Sequence, residues 1–179
     1  SNTPDPLNGK IGRDSSGQPN GLLFESALQF IKTILPEPSI EKTASAIQAA
    51  QSNLIQMGLT HVHDFDRRTA FQALQGLDQE GLLKLRVVKS LPLELLDYAS
   101  GVGLRTGFGS RHLTIGSVKA FMDGALGPRT AAMLAPYEGE PDNQGILNLD
   151  AEQLLEYGRR AAESGLSLAV HAIGDRAVH

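Results

Sequence analysis

The 179-residue sequence contains no cysteine. Thiolate metal sites, disulfides and cysteine nucleophiles are therefore excluded. It has no apolar run near the roughly 20 residues that cross a bilayer, and it opens with no charged segment leading into a short apolar one. No basic block is present. The formal net charge of −4, from 16 Lys+Arg against 20 Asp+Glu, argues against nucleic acid as a partner. No serine sits in a nucleophile-elbow pattern, and no G-x-G-x-x-G opens a helix after a strand. What remains is the composition of one globular domain, 41% hydrophobic, for which a soluble, cytoplasmic protein is the default reading. Ser1-Asn2 reads as a tag remnant.

Turn residues divide the rest. "RDSSGQP" separates Lys10–Arg13 from Asn20–Phe24, so residues 1–35 read as a hairpin and insert region. Residues 36–179 read as repeated strand–helix units. A helix through Ile40, Ala44, Ile47, Leu54 and Met57 starts at the N-cap Ser39 and stops at Gly58. The strand "LTHVHDF" follows, then a helix with Phe71, Leu74 and Leu77 on one side, and the strand "LLKLRVVKSL". A short helix after Pro92 leads to the strand "LTIGSVKAFMDG" and a long Gly/Pro-containing loop. The clearest helix has Asp150 as N-cap, Gln153 at the capping-box position and Gly165 at its end. The last strand is "LSLAVHAIGD", with Leu166, Leu168 and Val170 facing helices and small Ser167 and Ala169 on the other face. Such an order predicts a parallel sheet covered by helices, and both the doubly wound sheet and the barrel satisfy it.

In either architecture functional residues gather at the carboxyl ends of strands. That rule selects His63 and Asp64, Lys119 and Asp123, and His171 and Asp175. Alternation puts Lys119, Phe121 and Asp123 on one face, and His171 on the face of Ala169. A buried lysine needs a partner or neutralisation, so Lys119 is either an ion pair with Asp123 or Asp175, or a functional group. His171, alone in an apolar strand, is either a hydrogen-bonded core histidine or a ligand. The pair His61-x-His63 is either a metal site or two histidines sharing a face. "DGALGPR" has glycines suited to close backbone approach, which leaves a metal-free phosphate binder as a further option.

Several stretches point further. "SVKAFMDGALGPRTAAMLAPY" and "LAVHAIGDRAV", supported by "GKIGRDSSGQPNGLLFE" and "GLTHVHDFD" in the same order, resemble the family 3 branch of the amidohydrolase superfamily, which includes N-substituted formamide deformylases. The resemblance implies part of a metal-bearing (β/α)8 TIM barrel. It places "GLTHVHDFD" on the second barrel strand rather than the first, so His61 becomes interior packing and His63 a pocket-lining, substrate-binding residue. Lys119 falls on the fourth strand as a carboxylated lysine, and His171 on the fifth as a neutral imidazole ligand. Together they are the metal ligands expected in this segment, for a divalent ion, zinc. Asp123 either orients substrate or Lys119, or caps a loop; Asp175 and Arg176 fix loops. A complete barrel takes about 250 residues, so strands two to five imply the central segment of a longer enzyme, without the sixth-strand histidine and the eighth-strand aspartate. The implied reaction is hydrolysis of an amide or formamide C–N bond in a small molecule. The alternative is a binding or regulatory protein that keeps the fold without turnover. The open sheet edges of an incomplete barrel also predict association into a homo-oligomer.

Overall fold

A computed structural model describes residues 3–7 and 9–179. Ser1 and Asn2, read above as a tag remnant, lie outside the described residues. In chain order the elements are β1 (Gly9–Arg13), β2 (Pro19–Glu25), α1 (Gln29–Lys32), α2 (Ile40–Gln56), β3 (His61–Asp64), α3 (Arg68–Gln79), β4 (Arg86–Pro92), α4 (Leu96–Gly101), β5 (Leu113–Phe121), α5 (Ala151–Glu163), β6 (Ser167–His171) and α6 (Asp175–Val178). Single 3₁₀ turns precede α1 and α4. Among the described residues no helix is long and apolar enough to cross a membrane.

Backbone contacts divide the chain into two units. One contains the described residues up to Pro36, with Phe121–Ala151 and His171–His179; the other contains Glu37–Ala120 and Glu152–Val170. The hairpin thus groups with the long loop after β5 and with the C-terminal turn, segments that the sequence reading placed with the strand–helix repeats.

In the second unit, α2 begins where expected: the Ser39 hydroxyl accepts the Lys42 N–H at 3.2 Å, supplying one of the partners a helix start lacks. The sheet has the order β3-β4-β5-β6, and β3–β4 and β4–β5 pair in parallel. Helices cover one of its faces. Leu74 and Leu77 of α3 pack with Val87 and Leu113, and the partly buried Ala44, Ile47 and Leu54 of α2 close over them. A second cluster joins Leu91, Ile115 and Val118 to Leu96 of α4 and to Ala161 and Leu166. Each buried leucine contributes roughly 1.5–3 kcal/mol, so the two clusters hold the layers together. Gln51 is buried in α2, yet both ends of its amide are used: Nε2 donates to the Leu82 carbonyl and Oε1 accepts the Lys84 N–H. Val170, expected against helices, is 40% exposed.

In the first unit, β1 and β2 form the expected antiparallel hairpin, with an irregularity between Ile11 and Arg13. The long loop has its own short bridges, Asp123 to Leu147 and Tyr137 to Glu140.

Candidate active site

One irregularity decides where Lys119 points. Residues Val87, Lys89 and Leu91 of β4 lie opposite Leu113, Ile115 and Val118 of β5, so β5 carries one extra residue between Ile115 and Val118. An extra residue reverses the alternation beyond it. Leu113 and Ile115 face the helices before the irregularity and Val118 does so after it. Lys119 therefore turns to the opposite face; in an unbroken strand it would have followed Ile115 into the helical layer.

On that opposite face β3 presents a row of rings. Val62 packs toward the helices, which sends His61 and His63 the other way. Their rings are stacked at 5.7 Å between centroids and 12° between planes, and Phe65 continues the row at 6.4 Å from His63. The Lys119 ammonium lies 5.7 Å from the centre of the Phe65 ring, within range of a cation–π interaction, and it donates to the Ala120 carbonyl at 3.3 Å. Burial pushes the Lys119 pKa down from its ordinary 10.5, because a poorly hydrated site disfavours the charged form. His61, expected as interior packing, lies on the face away from the helices and is exposed in this chain.

A second lysine in this unit escaped the sequence reading. Lys89 is 1% exposed, donates to Asp64 Oδ1 at 2.5 Å and also bonds the Asp66 carbonyl. Asp64 and Lys89 are direct partners in the β3–β4 register, on the helix-facing side with Val87 and Leu91. The usable signal was a lysine between Val87 and Leu91 at strand spacing, with an aspartate one strand away.

The first unit holds the other candidates. The Asp123 side chain is fully buried. Its Oδ1 accepts the Ile173 N–H at 3.0 Å, and its Oδ2 accepts those of Gly174 at 2.7 Å and Ala132 at 2.9 Å. Of the two parts open to Asp123, these bonds are those of loop capping: they tie "DGALGPRTA" to "HAIGDRA". Backbone packing there is close enough to explain the glycine of the second segment, since a Cβ on Gly174 would lie 1.8 Å from the Ala132 carbonyl oxygen. Asp175 adds a further tie, with Oδ1 accepting the Leu134 N–H at 2.8 Å. The Tyr137 hydroxyl donates to the Ala131 carbonyl at 2.9 Å; burial, and then the Asp123 charge, raise its pKa above the ordinary value.

His171 ends β6 beside these loops. Its Nε2 lies 2.7 Å from the Gly124 carbonyl oxygen. A carbonyl can only accept, so Nε2 carries a proton, and in the neutral ring Nδ1 then keeps its lone pair. The ring rests against half-exposed Phe121, at 5.3 Å between centroids.

These residues suit part of a metal-ligand set. A ligating histidine generally donates its other ring N–H to a carbonyl or carboxylate, which fixes its tautomer, and His171 is held in that way. Lys119 has no lone pair as an ammonium, and burial, which lowers its pKa, makes that proton easier to remove. Lys119 and His171 belong to different units. Among the described residues no three His, Asp or Glu side chains cluster closely enough to hold an ion.

Comparison with known proteins bears on the family and the fold. A sequence model described as the amidohydrolase family matches residues 1–179. The chain is 34% identical over 182 residues to YtcJ of Bacillus subtilis (strain 168), provisionally named an amidohydrolase, covering 98% of this chain and 34% of that protein. It is 30% identical over 187 residues to the exoenzymes regulatory protein AepA of Pectobacterium carotovorum subsp. carotovorum, covering 98% of this chain and 39% of AepA. The crystal structure of an uncharacterized metal-dependent hydrolase from Pyrococcus furiosus superposes with a TM-score of 0.77 at 37% identity, over 93% of this chain and 35% of that one. The chain belongs to the amidohydrolase family, and its four-stranded parallel sheet is part of a (β/α)8 barrel of the metal-dependent hydrolase type. It spans about a third of the length of these relatives.

Proposed function

We propose that the full-length protein is a metal-dependent hydrolase of an amide or formamide C–N bond in a small molecule. His171 and carboxylated Lys119 are two of its metal ligands. The observation that carries the reading is the Nε2–H bond of His171 to the Gly124 carbonyl, which leaves Nδ1 as a donor atom. Imidazole and carboxylate-type oxygen donors suit zinc. Lys119 contributes through its lowered pKa. After the ammonium gives up a proton, the neutral amine adds carbon dioxide: an N–C bond forms, one C=O π bond opens onto oxygen and one N–H proton is released, so the side chain ends in an anionic oxygen ligand. When bound, a divalent metal supplies Lewis acidity that polarises a carbonyl and acidifies water. The chain's own residues position the reactants. His63 presents its ring on the face of the sheet shared with Phe65 and Lys119, where it contacts substrate. Asp123 holds the two loops that flank His171.

A regulatory protein without turnover is the second reading. It is supported by the name of the relative AepA. A panel of N-formyl and N-acyl amines, offered to the metal-loaded full-length protein, separates the two. The hydrolase reading expects turnover that a chelator abolishes and added zinc restores. A folded, metal-loaded protein with no turnover on any member would favour the regulator.

A further inference from the structure

Glu25 ends β2 in a conformation that side chains rarely adopt, with φ 49° and ψ −121°. A non-glycine residue held there is strained, and such strain persists only where the surroundings impose it. Here the surroundings are specific. Glu25 Oε1 accepts the Thr130 hydroxyl at 2.6 Å, from 105 residues away in sequence. With its proton directed at Glu25, the same hydroxyl oxygen accepts the Ala125 N–H at 3.0 Å. There is no spare room in this arrangement: a Cβ on Gly124 would lie 2.1 Å from Thr130 Oγ1 and 2.6 Å from Glu25 Oε1.

The Ala125 N–H and the Gly124 carbonyl are two ends of one peptide plane. That plane is rigid and trans, and among the described residues there are no cis peptide bonds. Fixing the N–H on one side therefore aims the carbonyl on the other, and the carbonyl accepts His171 Nε2–H at 2.7 Å. The bonds run head to tail from His171 to the peptide, to the Thr130 hydroxyl and to the Glu25 carboxylate, an arrangement in which each bond polarises the next.

We propose that Glu25, on the N-terminal hairpin, is a positioning residue that sets the tautomer and orientation of His171 through Thr130 and the Gly124–Ala125 peptide. Its consequence for metal binding rests on the reading of His171 as a ligand. The test compares Glu25→Gln, which keeps an accepting oxygen, with Glu25→Gly, which removes it and relieves the backbone strain, in the full-length protein. Nitrogen-15 NMR of labelled histidine, on metal-free protein, reads the His171 tautomer directly. Glu25→Gln should keep the Nε2–H form. Glu25→Gly should lose that preference and weaken zinc binding about tenfold, with a melting temperature equal to or above that of the parent. A purely structural part for Glu25 would leave the tautomer unchanged in Glu25→Gly, and that result overturns the proposal. Equal loss in Glu25→Gln and Glu25→Gly also overturns it, because the accepting oxygen would then not matter. Should Glu25→Gly not fold, Thr130→Val against Thr130→Ser poses the same question, since only serine keeps the hydroxyl. A changed tautomer with unchanged zinc affinity would uphold the relay and instead remove His171 from the ligand set.

Discussion

Asp123→Asn separates the two parts that the sequence leaves open for Asp123. In the structure its oxygens take three backbone N–H bonds from two loops. Asparagine keeps one accepting oxygen. In its better orientation that oxygen replaces Oδ2 and retains the bonds from Ala132 and Gly174, while the amide NH2 meets the Ile173 N–H head on. A hydrogen bond to a charged group is worth about 1.5–3 kcal/mol, and the donor–donor contact adds to its loss. We therefore expect a destabilisation of about 2–4 kcal/mol, measured by urea unfolding of the full-length protein. Hydrogen exchange should localise the effect. The Ile173 amide, with its neighbours at Gly174 and Ala132, should exchange at least about 30-fold faster if local opening carries 2 kcal/mol or more of the loss. A destabilisation below about 0.5 kcal/mol with unchanged exchange, accompanied by a raised KM, would refute loop capping and return Asp123 to substrate orientation.

Two further expectations concern charge. Lys89→Met should cost about 2–4 kcal/mol by denaturation, because removing one partner of a buried pair strands the other; Asp64 is 20% exposed, which moderates the loss, and adding Asp64→Leu should recover much of it. An unaffected Lys89→Met protein would mean that the pair is not formed. The Glu140 carboxylate is held below its ordinary 4.5, first by the Asn143 amide and then by Arg129. A depressed carboxylate pKa gives stability that is present above the ordinary value and lost as pH falls through the folded value. The advantage of the parent over Glu140→Gln should therefore persist at pH 5 and disappear in acid below 4.5. An advantage that vanished already between pH 7 and 5 would contradict the assignment.

The elements most legible in the sequence were those whose signals are local. Helix α2 carries a cap and a helical apolar period, and the structure starts it at Ile40, directly after Ser39. The hairpin and all four sheet strands follow from turn residues and apolar runs in the same way. What was not legible depends on partners far along the chain. The extra residue in β5 cannot be read from "LTIGSVKAF", because it exists only relative to β4. Lys89 looks like a surface lysine until Asp64 is placed beside it. The bond from Glu25 to Thr130 spans 105 residues, and nothing in "LLFE" announces a positive φ. His61-x-His63 shows the converse, a strong local pattern whose rings stack on each other along one strand.

The central claim is that Lys119 and His171 hold the metal while the histidine pair of β3 does not. Its most direct test is the zinc content, by elemental analysis, of full-length Lys119→Ala, His171→Asn and His61→Asn proteins purified in parallel. The account predicts a sharp loss of zinc in the first two, since alanine offers no donor and an amide is a poorer ligand than imidazole, with the parent's content retained in His61→Asn. Full zinc occupancy in Lys119→Ala, or equal loss in His61→Asn and His171→Asn, would contradict it.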